Sequence, residues 1–507
     1  MSNQENTGSV NKKRNELDTK AKTDRRTFVG ATAALGTSPS FRYSQASSFI
    51  LSSETERSPN VLIVFPDQWR NAALGRGNAG WPNGHPNLNT PRLDTFAKTG
   101  WQTRNHVTAN PVCAPNRAAL LTGRHAHASR VIQNNVGGLP NYERTIAEAL
   151  SDVGYRTGYI GKWHLGPGGM RWKDEGDHGY VPPRSRNGFN DWWEGFTRKG
   201  LHEKHHGHFI YDADGNVTVI GENRYQPITQ TDRTIGKIDE WEKESEPWFI
   251  QVNYNPPHPP LAPPDRYRDR YDVSEITLRP NVPDSERERA REFLADYYAL
   301  CESVDEQIGR LLDALNQREA ASDTLVVFTS DHGELGHSHG RVGKMRMFEE
   351  SINTPLMMRW GDRLANRQDA PTVVSTTDIA PTVAGLVQFS GRDVRLGRPE
   401  HPVQGRDLSD FLLRDEYGGQ NATGTLAERA FISGRIGLDQ EWRAIRRRRW
   451  VLSVDRHLKT EHLYNLWKDP HQQNDLSGQN LEVEQRIRDE LNKMINKYHD
   501  RLSRTRR

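Results

Sequence analysis

Asn60-Val61-Leu62-Ile63-Val64-Phe65-Pro66-Asp67-Gln68 decides the fold class of this chain. Its run from Val61 to Phe65 is apolar throughout, β-branched or aromatic at most positions, and has no polar alternation. That is the composition of a strand buried on both faces in a parallel sheet. The run stops at Pro66, and an acid and an amide follow at once. Ligands in open α/β sheets gather beyond the carboxyl ends of the strands, so Asp67 and Gln68 stand where a metal or substrate would be held. By position alone, an Asp after a strand is more often a helix cap.

Outward from this stretch the same arrangement recurs. Tyr155 to Ile160, Trp248 to Val252 and Thr324 to Thr329 read as further strands. They deliver Gly161-Lys162-Trp163-His164-Leu165-Gly166, Asn255-Pro256-Pro257-His258-Pro259-Pro260 and Ser330-Asp331-His332-Gly333-Glu334. Lys162 and His164 can both reach one anion if the backbone turns there, or serve as a solvated lysine and a capping histidine. His258, clamped between prolines, is held on a stiff backbone, as a general acid requires. Asp331 repeats the pattern of Asp67, so a metal assembled from two strand ends is plausible chemistry.

Helical periods lie between the strands. Thr90 to Ala97 starts with Pro91, Thr145 to Val153 stops at Gly154, and Ser285 to Gln317 reads as one long or two consecutive amphipathic helices. The alternation predicts an α/β fold: a large mixed, mostly parallel central sheet flanked by helices. Residues 167–246 carry many glycines, histidines and aromatics with little sustained periodicity and are expected to be loops lining a pocket. Trp192 and Trp193 could stack on sugar rings there, and His202, His205, His206 and His208 could bind substrate or stray metal. Beyond about residue 400 a smaller α+β subdomain is expected, with a strand at Trp450 to Val454, the segment Leu463 to Pro470 and an amphipathic helix from about Leu481 to Tyr498. The expected division is a leader over 1–58, a catalytic domain over 59–400 and the C-terminal subdomain over 401–507. Arg446 to Arg449 read as a solvated basic face that a polyanion could meet.

At 507 residues the chain can bury a large core, and a net charge of +3 argues against a nucleic-acid binder driven by bulk electrostatics. Two cysteines, Cys113 and Cys301, cannot build a disulfide framework. Cys301 sits in a helical pattern and reads as a buried structural thiol. No apolar run reaches the length of a transmembrane helix. Near the start, Asp24-Arg25-Arg26-Thr27-Phe28-Val29 and a short apolar segment resemble a twin-arginine export signal, with Ser44-Gln45-Ala46 as a candidate cleavage site. The expected location is therefore periplasmic or extracellular.

The remaining stretch, Val112-Cys113-Ala114-Pro115-Asn116-Arg117 through Leu120-Leu121-Thr122-Gly123-Arg124, places a cysteine at the head of a short apolar helix. A helix N-terminus and a thiol aimed into one cavity suit an anion. Cys-x-Pro-x-Arg followed by Leu-Thr-Gly-Arg resembles the signature of the type I sulfatases, of the alkaline phosphatase superfamily. Gly161 to Gly166 equals a second signature of that family, and Thr90 to Asp94, Gly343-Lys344 with Glu349-Glu350-Ser351, and Asp378 to Val383 resemble others in the family's order.

The resemblance implies an alkaline-phosphatase-like fold and a sulfuric ester hydrolase. Cys113 would be oxidised by a maturase to formylglycine (3-oxoalanine), whose hydrate attacks sulfur. Lys162, Lys344 and Arg117 would balance charge, His258 would protonate the departing alcohol, and His164 would take the proton that releases sulfate. Asp67, Gln68, Asp331, His332 and the modified Cys113 would hold a divalent metal, Ca²⁺ by resemblance, with Mg²⁺ or Mn²⁺ compatible with the donors. Many members have Asp-Asp where this chain has Asp67-Gln68, and serine is frequent where it has Asn116. The implied substrate is a sulfated small molecule or glycan, with a carbohydrate sulfate favoured. Two alternatives share these motifs: a formylglycine-dependent phosphonate or phosphate monoester hydrolase, and a sulfatase-like protein that binds sulfated glycans without catalysis.

Overall fold

The structure is a computed structural model that describes residues 58–75, 85–134, 138–166, 179–197, 209–219, 224–318, 321–367, 370–414, 428–436, 438, 440–479 and 481–501. The export-signal reading and the cluster His202, His205, His206 and His208 lie outside the described residues. In chain order the strands are β1 (Asn60–Val64), β2 (Trp101–Thr103), β3 (His106–Val107), β4 (Arg156–Lys162), β5 (Trp192–Phe196), β6 (Phe209–Tyr211), β7 (Val217–Val219), β8 (Trp248–Asn253), β9 (Thr324–Thr329), β10 (Leu356–Arg359), β11 (Val374–Ser375), β12 (Arg429–Gly434), β13 (Trp442–Arg447), β14 (Trp450–Asp455) and β15 (Thr460–Asn465).

Nine of them form one sheet in the order β2-β10-β9-β1-β8-β4-β5-β6-β7. Its centre, β9-β1-β8-β4-β5, is parallel, and the pairings at both edges are antiparallel. This is the mixed sheet the alternating pattern predicts. Side chains of a strand point alternately to opposite faces, and two cores follow. Val61, Ile63, Phe249, Leu325 and Val327 meet Ala118, Leu121, Leu150 and Leu386 on one face. Leu62, Val64, Ile250, Val326 and Phe328 meet Leu93, Ile238, Leu294 and Ile308 on the other. The first face is covered by helices Cys113–Thr122, Ile146–Ser151 and Ile379–Phe389, the second by Pro91–Lys98, Gln226–Trp241 and Arg287–Asn316. Complete burial of one such aliphatic side chain stabilises the fold by about 1.5–3 kcal/mol, so both faces of every central strand contribute.

Local signals explain several element ends. Pro91 opens its helix, Thr145 and Glu148 form a reciprocal capping box, and Ser285 to Gln317 becomes a single 30-residue helix, Arg287–Asn316, after a short 3-10 turn. Cys301 is buried in that helix, and burial pushes its thiol well above the ordinary value.

The C-terminal part is a four-stranded antiparallel sheet, β12-β13-β14-β15. Alternation again sorts it. Ala430, Ile432, Ala444, Val451 and Tyr464 face Val107, Met347, Ile352 and Val373, while Phe431, Ile445, Leu452 and Leu463 face Ile487, Leu491 and Ile495 of helix Leu481–Lys497.

Three expectations need correction. Residues 167–246 are not all loops: they contain β5, β6, β7 and the 16-residue helix Gln226–Trp241. The first half of that helix buries Gln226, Thr229, Gln230, Thr231 and Thr234, and only its second half puts apolar Ile238 and Trp241 into the core, so the apolar period is too short to stand out. Trp192 and Trp193 are core residues of β5, not sugar platforms; Trp193 is 2% exposed, stacked on Tyr159 at 5.0 Å. The basic run is not one solvated face, because Arg446 is buried against Glu349 at 3.0 Å. Among the described residues no helix is long and apolar enough to cross a membrane.

Candidate active site

The neighbouring strands β9, β1, β8 and β4 end side by side, and each presents chemistry at its carboxyl end. β1 leads to Asp67 and Gln68, β9 to Asp331 and His332, β4 ends on Lys162 with His164 two residues on, and β8 ends on Asn253 and leads to His258. Gly161 permits this junction: its φ is +107°, and a Cβ there would collide with the Asn253 carbonyl. Helix Cys113–Thr122 is buried along its whole length and sets Cys113 at its first position. The other nine candidate catalytic and metal-binding residues thus gather around Cys113.

Cys113 Sγ lies 3.2 Å from His332 Nε2, 3.2 Å from Lys344 Nζ and 3.8 Å from Asp67 Oδ1. His164 and His258 stand beside it and interact with the thiol. Burial opposes ionisation of Cys113, yet Lys344, Lys162 and His332 outweigh it and bring the thiol well below its ordinary value. An anion at this position is therefore stabilised by fixed cations, whichever atom carries the charge.

Asp67 is held by its outer oxygen and Asp331 by both, since Asp331 Oδ1 accepts from the backbone N–H groups of Gln68 and His332 at 2.9 Å each. Asp67 Oδ2 accepts from Lys162 Nζ and from Arg117 Nη2 at 3.1 Å, and Asp331 Oδ2 accepts from the same Arg117 nitrogen at 3.2 Å. Arg117 is fixed in turn by the Lys162 carbonyl at 2.9 Å and Asn253 Oδ1 at 3.3 Å. Burial and Cys113 push Asp67 up, but Lys162, His258 and Arg117 together hold it well below the carboxylate range. Asp331 is raised, by burial and by Asp67 beside it. Burial lowers His164 to about 4, so its ring is neutral at neutral pH and able to accept a proton.

The inner atoms fit a cation. Donor atoms of Asp67, Cys113, Asp331 and His332, all buried, lie within 4.8 Å of one another. His332 Nε2 is 3.7 Å from Asp67 Oδ1 and 3.6 Å from Asp331 Oδ1. Ligands bound at about 2.3–2.6 Å around a hard cation are separated by about such distances. His332 Nδ1 pairs with the Gly333 carbonyl at 3.1 Å, which leaves Nε2 facing the cluster.

Gln68 is positioned by Glu334, to which the motif assigns no role of its own. Its backbone is left-handed at φ +68°, as is that of His164 at +58°, strain of a kind that collects at functional sites. Glu334 accepts from the Gln68 amide nitrogen, and Gln68 Oε1 accepts from Lys344 Nζ at 2.6 Å. Glu334 itself is anchored by the backbone N–H groups of Gly336 at 2.8 Å and Gly343 at 2.6 Å. Asn253 was also missed; the only signal for it was its place at a strand end.

The sulfatase family profile matches residues 59–389. The chain belongs to the sulfatase family. A profile for the C-terminal part of N-sulphoglucosamine sulphohydrolase matches residues 337–500 of this sulfatase. It is 32% identical to an ulvan-active sulfatase of Formosa agariphila over 87% of this chain and 80% of the relative. An endo-4-O-sulfatase of Bacteroides thetaiotaomicron is 28% identical over 88% of this chain and 94% of its own length. Among solved structures, a candidate sulfatase, yidJ, of Bacteroides fragilis superposes with a TM-score of 0.77 at 27% identity, covering 90% of this chain and 99% of the other. A phosphonate monoester hydrolase of Silicibacter pomeroyi shares the fold, with a TM-score of 0.67 at 21% identity over 88% of this chain and 97% of its own.

Proposed function

We propose that this sulfatase removes sulfate from a carbohydrate sulfate ester, with position 113, matured to formylglycine, as the nucleophile. The observation that carries the reading is the convergence of Lys344, His332 and Asp67 on Cys113 Sγ. Asp67, Gln68, Asp331 and His332 would hold a divalent cation, for which Ca²⁺ suits the oxygen donors. Such a cation and a hydrated aldehyde together supply an acidified oxygen nucleophile with a second oxygen for release, which a thiol lacks.

The chain's own groups have separable tasks. Lys162 and Arg117 neutralise the outer oxygens of Asp67 and Asp331, and Lys344 offers its ammonium to the incoming sulfuryl oxygens. Fixed cations of this kind are worth about 3 kcal/mol each in a transition state. His258 Nδ1 pairs with the Pro259 carbonyl at 2.6 Å, which leaves Nε2 as the nitrogen that would serve the departing alcohol, giving its proton from the doubly protonated ring. His164 takes the proton that frees sulfate. Two relatives whose names specify ulvan and a 4-O-sulfate support a glycan substrate. The twin-arginine-like leader supports export, and an accessory maturase is required upstream.

The test is the purified protein, co-expressed with a formylglycine-generating maturase. The tryptic peptide ending at Arg117 should carry the aldehyde, and sulfated mono- and oligosaccharides should release sulfate. A second reading, phosphonate monoester hydrolysis, draws on the Asp67-Gln68 and Asp331-His332 pairs. A larger kcat/KM on a phenyl phosphonate monoester than on an aryl sulfate would overturn the sulfatase assignment of the site.

A further inference from the structure

Trp467 is 61% exposed, whereas every other described tryptophan is buried. A large exposed aromatic in a fixed setting calls for an explanation. The β13–β14 hairpin turns on Arg448-Arg449, and Leu466 N–H donates to the Arg449 carbonyl at 2.8 Å, which brings the turn after β15 against that tip. The guanidinium carbons of Arg448 and Arg449 then lie 5.6 and 5.4 Å from the Trp467 ring centroid, and Arg449 also covers Trp450 at 5.3 Å. Cation–π contact of this kind orders both arginines before any ligand arrives.

Two clefts of about 380 and 320 Å³ meet here, sharing Pro371, Arg448 and Trp467; that is the size range of ligand sites. Their carboxylates are spoken for: Glu349 by Arg446, Glu350 by Arg279 and Glu428 by Arg447. Arg448, Arg449 and, in the smaller cleft, Arg486 have no ion pair with a described carboxylate. The larger cleft reaches the loop that follows the β1 strand end. Asn71, three residues past Gln68, lines it, as do Arg104 and Asn105 after β2. Leu356 pairs with both Thr103 and Thr329, so the end of β2 is level with the end of β9 that delivers Asp331.

We propose that Arg448, Trp467 and Arg449 form a second binding site for a sulfated polysaccharide, holding a sulfated sugar of the same chain whose ester lies in the active site. The ring stacks on the apolar face of a sugar, and the guanidinium forks take a sulfate by paired N–H donors. The inference rests on the carbohydrate-sulfate reading above and narrows it to polymers or long oligomers with more than one sulfate.

Dextran sulfate is the probe, with uncharged dextran as its control, in a calorimetric or electrophoretic affinity measurement on the full chain. Trp467→Ala and the double variant Arg448→Ala with Arg449→Ala change only exposed side chains. Each should weaken dextran sulfate binding at least tenfold while turnover of a small aryl sulfate stays within twofold of the wild type. Unchanged affinity in either variant, or equal binding of uncharged dextran, overturns the site. If the matured wild type releases sulfate from no aryl or sugar sulfate, the active-site reading fails by itself, and the affinity series still decides this one.

Discussion

Glu334 and Gln68 meet across the ends of β9 and β1: the carboxylate holds the amide nitrogen, and the amide oxygen is thereby turned toward Lys344. An amide brings no charge to a cation, so its orientation is all it has to offer. Glu334→Gln keeps the side-chain shape and one oxygen for the Gly336 and Gly343 N–H groups, but presents an NH₂ to Gln68. The Gln68 amide should flip and aim its nitrogen at the cation. Loss of such an orienting partner lowers metal affinity about 10–100-fold. In dialysis against a graded chelator, the chelator concentration that removes half the metal should fall by that factor, and equal retention in both proteins would remove Glu334 from this role.

Lys162 and Arg117 divide one task. Asp67 is fully buried, and both cations reach its Oδ2. Lys162→Met removes one of them at similar volume and leaves a buried carboxylate short of charge, which costs about 3–5 kcal/mol. The urea midpoint should drop accordingly, and kcat on a sugar sulfate should fall by about 100-fold or more. Arg117→Lys keeps the charge, yet one ammonium cannot bridge Asp67, Asp331, the Lys162 carbonyl and Asn253 as the planar guanidinium does. Near-normal turnover in either variant would contradict the charge-balancing account.

His258 is held at Nδ1 by the Pro259 carbonyl, so its remaining nitrogen is the one available to a leaving group. Burial, then Lys344 and Lys162, lower its pKa. A nitrophenolate needs no proton to depart, whereas a sugar alkoxide does. His258→Ala should therefore cost about 100-fold or more on a sugar sulfate and less than tenfold on nitrophenyl sulfate. Equal losses on the two substrates would assign the ring to binding or structure instead.

The parts of this molecule that were legible in sequence are those that obey one rule at a time. Val61 to Phe65 and Leu325 to Phe328 are apolar throughout because both sheet faces are covered, and the acids beyond them mark the strand ends. The helix Gln226–Trp241 is hard to read because the first half of its buried face is mostly threonine and glutamine, and the use of Trp193 depends on Tyr159 and Arg186, which only the fold brings near. Arg446 to Arg449 look uniform as a run, but strand alternation buries Arg446 and the hairpin tip exposes Arg448 and Arg449. Glu334 stands inside a motif that was read, yet its task arises from the left-handed turn of Gln68 and is invisible without it.

His106 gives the fold a pH dependence of definite sign. Its ring is fully buried, with Nδ1 2.7 Å from Thr354 Oγ1, and burial, only partly opposed by the bond to Thr354, lowers its pKa to about 3. In the unfolded chain the ring titrates near the ordinary 6.5. Between these values the unfolded state binds a proton that the folded state refuses, so stability rises with pH across this window. The contribution is present in full above about pH 6.5 and declines by about 1.4 kcal/mol per unit as pH falls toward 3. His106→Gln cannot titrate and loses packing equally at every pH. The difference in unfolding free energy between wild type and variant should thus shrink by about 2–3 kcal/mol from pH 7.5 to pH 4.5 in urea titrations. A difference that stays constant over that range would mean that His106 takes up its proton in the folded protein as readily as in the unfolded one.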